Sequence, residues 1–174
     1  MKKLLALAVV ILGFTAVSFG QLKIVSEAAK ASATILTPVS IVKNTDLNFG
    51  NIVNATGGTV VLGTDDSRVA SAGLSLPAFK GTVSAAAFTI TGESGSTYSI
   101  SNPASIIIKN GVNEMTVNTF TSAAAAGTLG TLTGTIGTTT TQQVLFGGTL
   151  TVLGTQAAGV YSNDTEFKIT VNYN

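Results

Sequence analysis

The chain has 174 residues, nine Lys and Arg against eight Asp and Glu, and neither His nor Cys. Those absences exclude imidazole bases, the usual nucleophilic triads, His/Cys zinc sites and disulfides, and the near-zero charge offers no basic surface for nucleic acid or an anionic membrane. Charged residues are 10% of the chain, against ~25% in ordinary soluble proteins, and abundant Gly, Ala, Thr and Ser suit a chain that packs against copies of itself.

Met1-Lys2-Lys3 is a short basic start, followed by an apolar run from Leu4 and by small residues at Ser18 and Gly20. This is the pattern of a secretory signal peptide, residues 1–20, cut between Gly20 and Gln21. The apolar core is short for a membrane span and no basic stop follows, so the mature chain is expected to have no transmembrane segment. Removing Lys2 and Lys3 from the nine basic residues leaves seven against eight acidic ones. Residues 21–32 form a small polar and Ala-rich segment, either a short helix through Ala28, Ala29 and Ala31 or a loose arm.

Residues 33–174 read as one all-β domain. Ile35, Thr37, Val39 and Ile41 share parity and predict a strand from Ala33, with Pro38 placing it at an edge or a bend. A second strand is expected over Leu47–Val53 with a bulge at Gly50, and a third over Thr59–Leu62 after the Asn54–Gly58 turn. Gly63–Gly73 reads as loop, and Leu74 and Leu76 as a short strand stopped by Pro77. Val83–Thr91 points Phe88 and Ile90 inward. Thr97–Ser101 and Ser105–Lys109 follow, and Asn110-Gly111 marks a hairpin into Glu114–Phe120. Met115 and Val117 share a face that Phe120 breaks, which predicts a twist or bulge. Ser122–Thr141 is low in complexity and reads as a long loop or irregular edge. Gln143–Phe146 and Thr149–Leu153 are expected as strands either side of Gly147-Gly148.

Glu166–Asn174 carries the cleanest alternation. Phe167, Ile169, Val171 and Tyr173 fall on one side, Lys168, Thr170 and Asn172 on the other. About ten short strands separated by Gly, Pro and Asn turns imply an antiparallel sandwich of immunoglobulin-like type.

Few residues offer chemistry. Asp65-Asp66 is the one acidic pair, too few oxygens for calcium and not the facing carboxylates of a glycosidase. Gly57-Gly58 and Gly147-Gly148 lack the Lys-Ser/Thr and helix of a phosphate loop. Asn54-Ala55-Thr56 and Asn163-Asp164-Thr165 fit the glycosylation sequon, a weak signal in a chain rich in Asn and Thr. Thr149, Thr151, Thr165 and Thr170 read as surface strand residues. The chain is not read as an enzyme, and no cofactor or metal is expected.

Taken in order, Ala33-Thr34-Ile35-Leu36-Thr37-Pro38-Val39-Ser40-Ile41, Asp46-Leu47-Asn48-Phe49-Gly50-Asn51-Ile52, Phe88-Thr89-Ile90-Thr91-Gly92, Thr97-Tyr98, Met115-Thr116-Val117-Asn118-Thr119-Phe120, Ala158-Gly159-Val160-Tyr161 and Val171-Asn172-Tyr173 resemble a secreted bacterial family known as a domain of unknown function. That family is similar in turn to spore coat protein U and to chaperone–usher pilins. The resemblance implies a pilin-like sandwich exported to the extracellular space or cell surface through the periplasm. It also implies a periplasmic chaperone, an outer-membrane usher, and self-association into a fibre or coat by strand addition. Phe167, Ile169, Val171 and Tyr173 match the C-terminal assembly strand of pilins, and residues 21–33 match the donor arm. Extended, that arm spans roughly 43 Å at ~3.3 Å per residue, but only Leu22 and Ile24 begin an apolar alternation, which Ser26, Ala28 and Lys30 continue. Two readings of function follow: a structural subunit of a pilus-like fibre or coat, or a monomeric binding module such as an adhesin or sugar binder. Whether the sandwich is complete or needs a donated strand stays open at this point.

Overall fold

The computed structural model describes residues 24–123, 126–128, 131–136 and 140–174. The chain divides into two units, Met1–Thr34 and Ile35–Asn174. Of the first, residues 24–34 are described and none lies in a helix or strand. The expected signal peptide and Leu22 lie outside the described residues.

The second unit is all-β and antiparallel among its described residues. Its strands are β1 Ser40–Thr45, β2 Val53–Asn54, β3 Gly57–Leu62, β4 Arg68–Ala70, β5 Leu74–Ser75, β6 Ala86–Thr91, β7 Thr97–Ser101, β8 Ser105–Asn110, β9 Asn113–Ala123, β10 Ala126–Thr128, β11 Thr131–Thr135, β12 Thr141–Leu153 and β13 Thr170–Tyr173. No described helix is long and apolar enough to cross a membrane.

The long strand β12 is the spine of the larger sheet. On one side its first half pairs with β6 and its second half with β3; on the other side it pairs with β9. The sheet then continues outward as β6–β1, β3–β4 and β9–β8. The smaller sheet runs β10-β11-β7-β13. Apolar side chains at alternate positions face each other across the two sheets. Ala86, Phe88, Ile90, Val144 and Phe146 from the larger sheet meet Tyr98 and Ile100 from the smaller, with Ile136 and Ile169 beside them. This is an antiparallel β-sandwich. A second core lies under the other half of the larger sheet, where Val60, Leu62, Ile106, Val117, Phe120, Leu150 and Val152 are covered by Phe49 and by half-buried Leu74, Leu76 and Phe167.

Several expected elements are confirmed in place. Asn110-Gly111 turns β8 into β9, with Asn110 opposite Asn113 and Gly111 at φ 60°. The parity break at Phe120 is a bulge: Asn118 pairs with Thr149 and Thr121 with Gly147, so Thr119 and Phe120 share Gly148. Thr119 takes φ 48° to allow it. A Cβ on Gly148 would stand 3.1 Å from the Phe120 ring, so the glycine makes room for the ring that the bulge turns inward.

Other expectations are corrected. The strand expected from Ala33 begins only at Ser40, because Pro38 lacks a donor and both main-chain groups of Thr37 are bound by side chains. Leu47–Val53 is not a continuous strand. The Asn48 side chain accepts the Gly50 amide at 2.9 Å, and Gly50 has φ 66°; this Asx turn leaves a bridge from Asn48 to Ser84 and, beyond it, Val53 at the start of β2. Gly147-Gly148 does not break β12, which runs through it for 13 residues. The low-complexity stretch holds the β10–β11 hairpin at an edge of the smaller sheet. Gly63–Gly73 contains β4 as well as loop.

Candidate functional site

The terminal alternation is real but only partly strand. Phe167, Val171 and Tyr173 are half-buried and Ile169 is buried, while Lys168, Thr170 and Asn172 are exposed; the ladder covers Thr170–Tyr173 alone. Ahead of it the Asn163 carboxamide accepts the amides of Thr165 and Glu166, at 2.9 and 3.0 Å, and so shapes a turn. Phe167 joins the two cores. Its ring stacks on Phe120 with centroids 4.8 Å apart and meets Phe146 at 6.0 Å and Phe88 at 6.3 Å. The apolar face of this segment therefore packs inside its own sandwich.

One edge of β13 is paired, and the other has no main-chain partner among the described residues. Thr170, Val171, Asn172 and Tyr173 lie opposite Ser101, Ile100, Ser99 and Tyr98 of β7. The Asn174 amide donates to Thr97 O at 3.1 Å. That bond makes Asn174/Thr97 a hydrogen-bonded pair, so by alternation Asn172 and Thr170 also face β7, and the main-chain groups of Val171 and Tyr173 point away from it. β13 ends its sheet. Its sequence, Thr-Val-Asn-Tyr, carries no charge.

The edges of the larger sheet are handled differently. The outer side of β8 is filled: Lys109 and Ser162 exchange main-chain hydrogen bonds, the Ile107 amide donates to the Glu166 carboxylate at 2.9 Å, and the Asn163 amide donates to Ile107 O at 2.6 Å. In β1 the register shifts between Lys43 and Thr45, and Lys43 is paired with Asp46. β4 has three residues and carries Arg68, whose guanidinium donates to Phe49 O and Asn51 O. Charge, bulges and shortness are the devices that stop unwanted strand pairing. β13 has only shortness.

The free edge borders a seam. β1 and β13 are the terminal strands of their sheets and approach each other. Val39, Ile41 and Leu47 on one side, and Phe167, Val171 and Tyr173 on the other, pack on the first core while staying partly exposed. β1 opposes β6, β13 opposes β7, and β6 turns into β7 through Gly92–Ser96. β1 and β13 therefore run in opposite senses. A strand laid between them would be parallel to one and antiparallel to the other.

Tyr173 closes one end of the seam. Its Oη accepts the Glu93 amide at 2.6 Å and donates to Thr37 O at 2.7 Å, while the Thr37 amide donates to a Glu93 carboxylate oxygen at 3.3 Å. A Cβ on Gly92 would lie 2.3 Å from that hydroxyl, so any larger residue there would have to displace the Tyr173 side chain. Sequence reasoning found Tyr173 but missed Glu93, Gly92 and Thr37, because no local pattern ties Tyr173 to residues 80 and 136 positions away.

The remaining candidates are spent on structure. Asp65 accepts Ser67 N and Oγ, which holds its carboxyl below the usual range, and Asp66 accepts the Ala85 amide at 2.6 Å. Both sequon asparagines are engaged: Asn54 donates to Leu153 O and accepts Gly57 N, and Asn163 is bound as above. Among the described residues no three His, Cys, Asp or Glu side chains are placed to hold a metal ion. Ile24 is 90% exposed and in no strand.

A family model described as a domain of unknown function (DUF4402) matches residues 39–173. The chain belongs to the DUF4402 family. The DUF4402 match spans all thirteen strands, from just before β1 to the last residue of β13, and leaves Thr37, Ile24 and Leu22 ahead of it. No curated protein and no solved structure gave a match to this DUF4402 chain.

Proposed function

We propose that this protein is an exported structural subunit of a pilus-like fibre or cell-surface coat, assembling by β-strand addition at the free edge of β13. The observation that carries the reading is the contrast among edges: β8 is capped, β1 is bulged and charged, and β13 is uncharged beside a seam of half-buried apolar residues. Strand addition draws affinity from main-chain hydrogen bonds and specificity from alternate side chains. The available main-chain groups here are those of Val171 and Tyr173, and the apolar floor is Ile41, Val39 and Val171. The resemblance to chaperone–usher pilins and spore coat protein U supports the same reading. On it, a periplasmic chaperone and outer-membrane usher handle the subunit before a neighbouring copy's strand occupies the seam. Such a contact is head-to-tail and propagates as a filament.

The binding-module alternative draws on Phe79, 73% exposed on the loop after β5. Among described aromatics it stands alone in being exposed, whereas a sugar platform usually needs more than one ring.

The mature chain with and without residues 21–32 separates the two. Fibres in the electron microscope, or ladders on an unheated SDS gel, are expected from the longer form and should vanish from the shorter. A monomer in both forms, even with a co-expressed chaperone, would contradict strand addition by the arm.

A further inference from the structure

The segment before β1 lies at the mouth of the same seam, and among the described residues side chains hold it there. Residues 35–39 belong to no strand. Thr37 is nevertheless fixed through both main-chain groups, its carbonyl by Tyr173 Oη and its amide by the Glu93 carboxylate. The residues ahead of it add no apolar anchorage: Ile35 is 97% exposed and Leu36 57%. A strap without a ladder, whose one apolar anchor is half-buried Val39 at its β1 end, detaches ahead of that residue when a few side-chain hydrogen bonds break. One hydroxyl, Tyr173 Oη, joins the strap, the β6–β7 turn and the last residue of β13. The shared parity of Ile35, Thr37, Val39 and Ile41 also makes the strap competent to pair once free.

We propose that residues 35–39 are a releasable gate on the β13 edge and that the Tyr173 hydroxyl is its latch. This deepens the strand-addition reading by adding control: while Thr37 is latched, the seam is closed at the turn end, and a strand is admitted there only after the latch opens.

The test is amide hydrogen exchange of the full chain, wild type against Tyr173→Phe, which keeps the ring and removes the latch. A net hydrogen bond is worth about one factor of ten in an opening equilibrium, so exchange at Thr37, and at Asn172 and Asn174, whose amides face β7 beside the latch, should rise about tenfold. Glu93→Gln, isosteric and lacking the charge, should raise exchange at Thr37 by a smaller factor. Unchanged melting temperature in both variants would show that the fold is kept, and if Tyr173→Phe melts early the Glu93→Gln variant decides alone. No rise at Thr37, or a rise confined to the strap with β13 amides unaffected, would overturn the gate. Self-association followed by sedimentation velocity is read separately. Faster association of Tyr173→Phe supports the gate acting on assembly. Raised exchange at both places with no association in either protein upholds the latch and counts against strand addition.

Discussion

Phe167 shows how one residue can join two cores. Three rings surround it and it packs on both buried clusters. Phe167→Ala is expected to destabilise by about 3 kcal/mol, the lower end for a large aromatic because the ring is half-exposed; the midpoint of urea unfolding measures it. Tyr98 is the fully buried phenol of the first core, its hydroxyl 2.7 Å from Gln142 Oε1. Burial pushes its ionisation above the ordinary value. The fold therefore keeps Tyr98 neutral while the unfolded chain ionises near pH 10. The contribution is intact below that pH and is lost as pH rises through the raised value, at up to about 1.4 kcal/mol per unit. Tyr98→Phe should flatten the alkaline fall in stability by one proton, as read by unfolding between pH 9 and 11.

At the scale of elements, what was legible in the sequence depended on whether the cause was local. Asn110-Gly111 writes its own turn, and the parity slip at Phe120 could be read as a bulge because side-chain alternation is a local property. The terminal alternation was legible for the same reason. Ile35–Ile41 and Leu47–Val53 alternate just as well, yet neither is a full strand. The first is claimed by Tyr173 and Glu93 side chains, the second by its own Asn48. Likewise, Gly147-Gly148 looked like a break and is the crowded middle of β12, where β3 and β9 press from both sides. Edge caps were invisible too, since Asn163 and Glu166 act on Ile107, 56 and 59 positions away. Asn163→Ala removes the donor to Ile107 O and the acceptor for two turn amides. Amide exchange at Ile107 and Lys109 should rise about tenfold, while Thr165→Ala, which also removes the sequon, should leave it unchanged.

For the whole molecule, the central matter is a sandwich whose two sheets end side by side in strands running in opposite senses. The core was foreseeable from alternation, but the contrast between β13 and the edges of the larger sheet was not, because it follows from distant residues that cover β8 and from the bulge and charge of β1. The four residues of β13 offer two outward amides, and only one belongs to a residue that can be replaced without touching the Tyr173 latch. Val171→Pro removes that amide and spares the ladder to β7, whereas Asn172→Pro removes a ladder bond. Sedimentation velocity of residues 21–174 carrying each change, compared with the unchanged protein, is the most direct test of strand addition at this edge. The expected result is a folded Val171→Pro protein that no longer associates, beside an Asn172→Pro protein that melts lower. Association of Val171→Pro at the rate of the unchanged protein would contradict the assignment of the β13 edge.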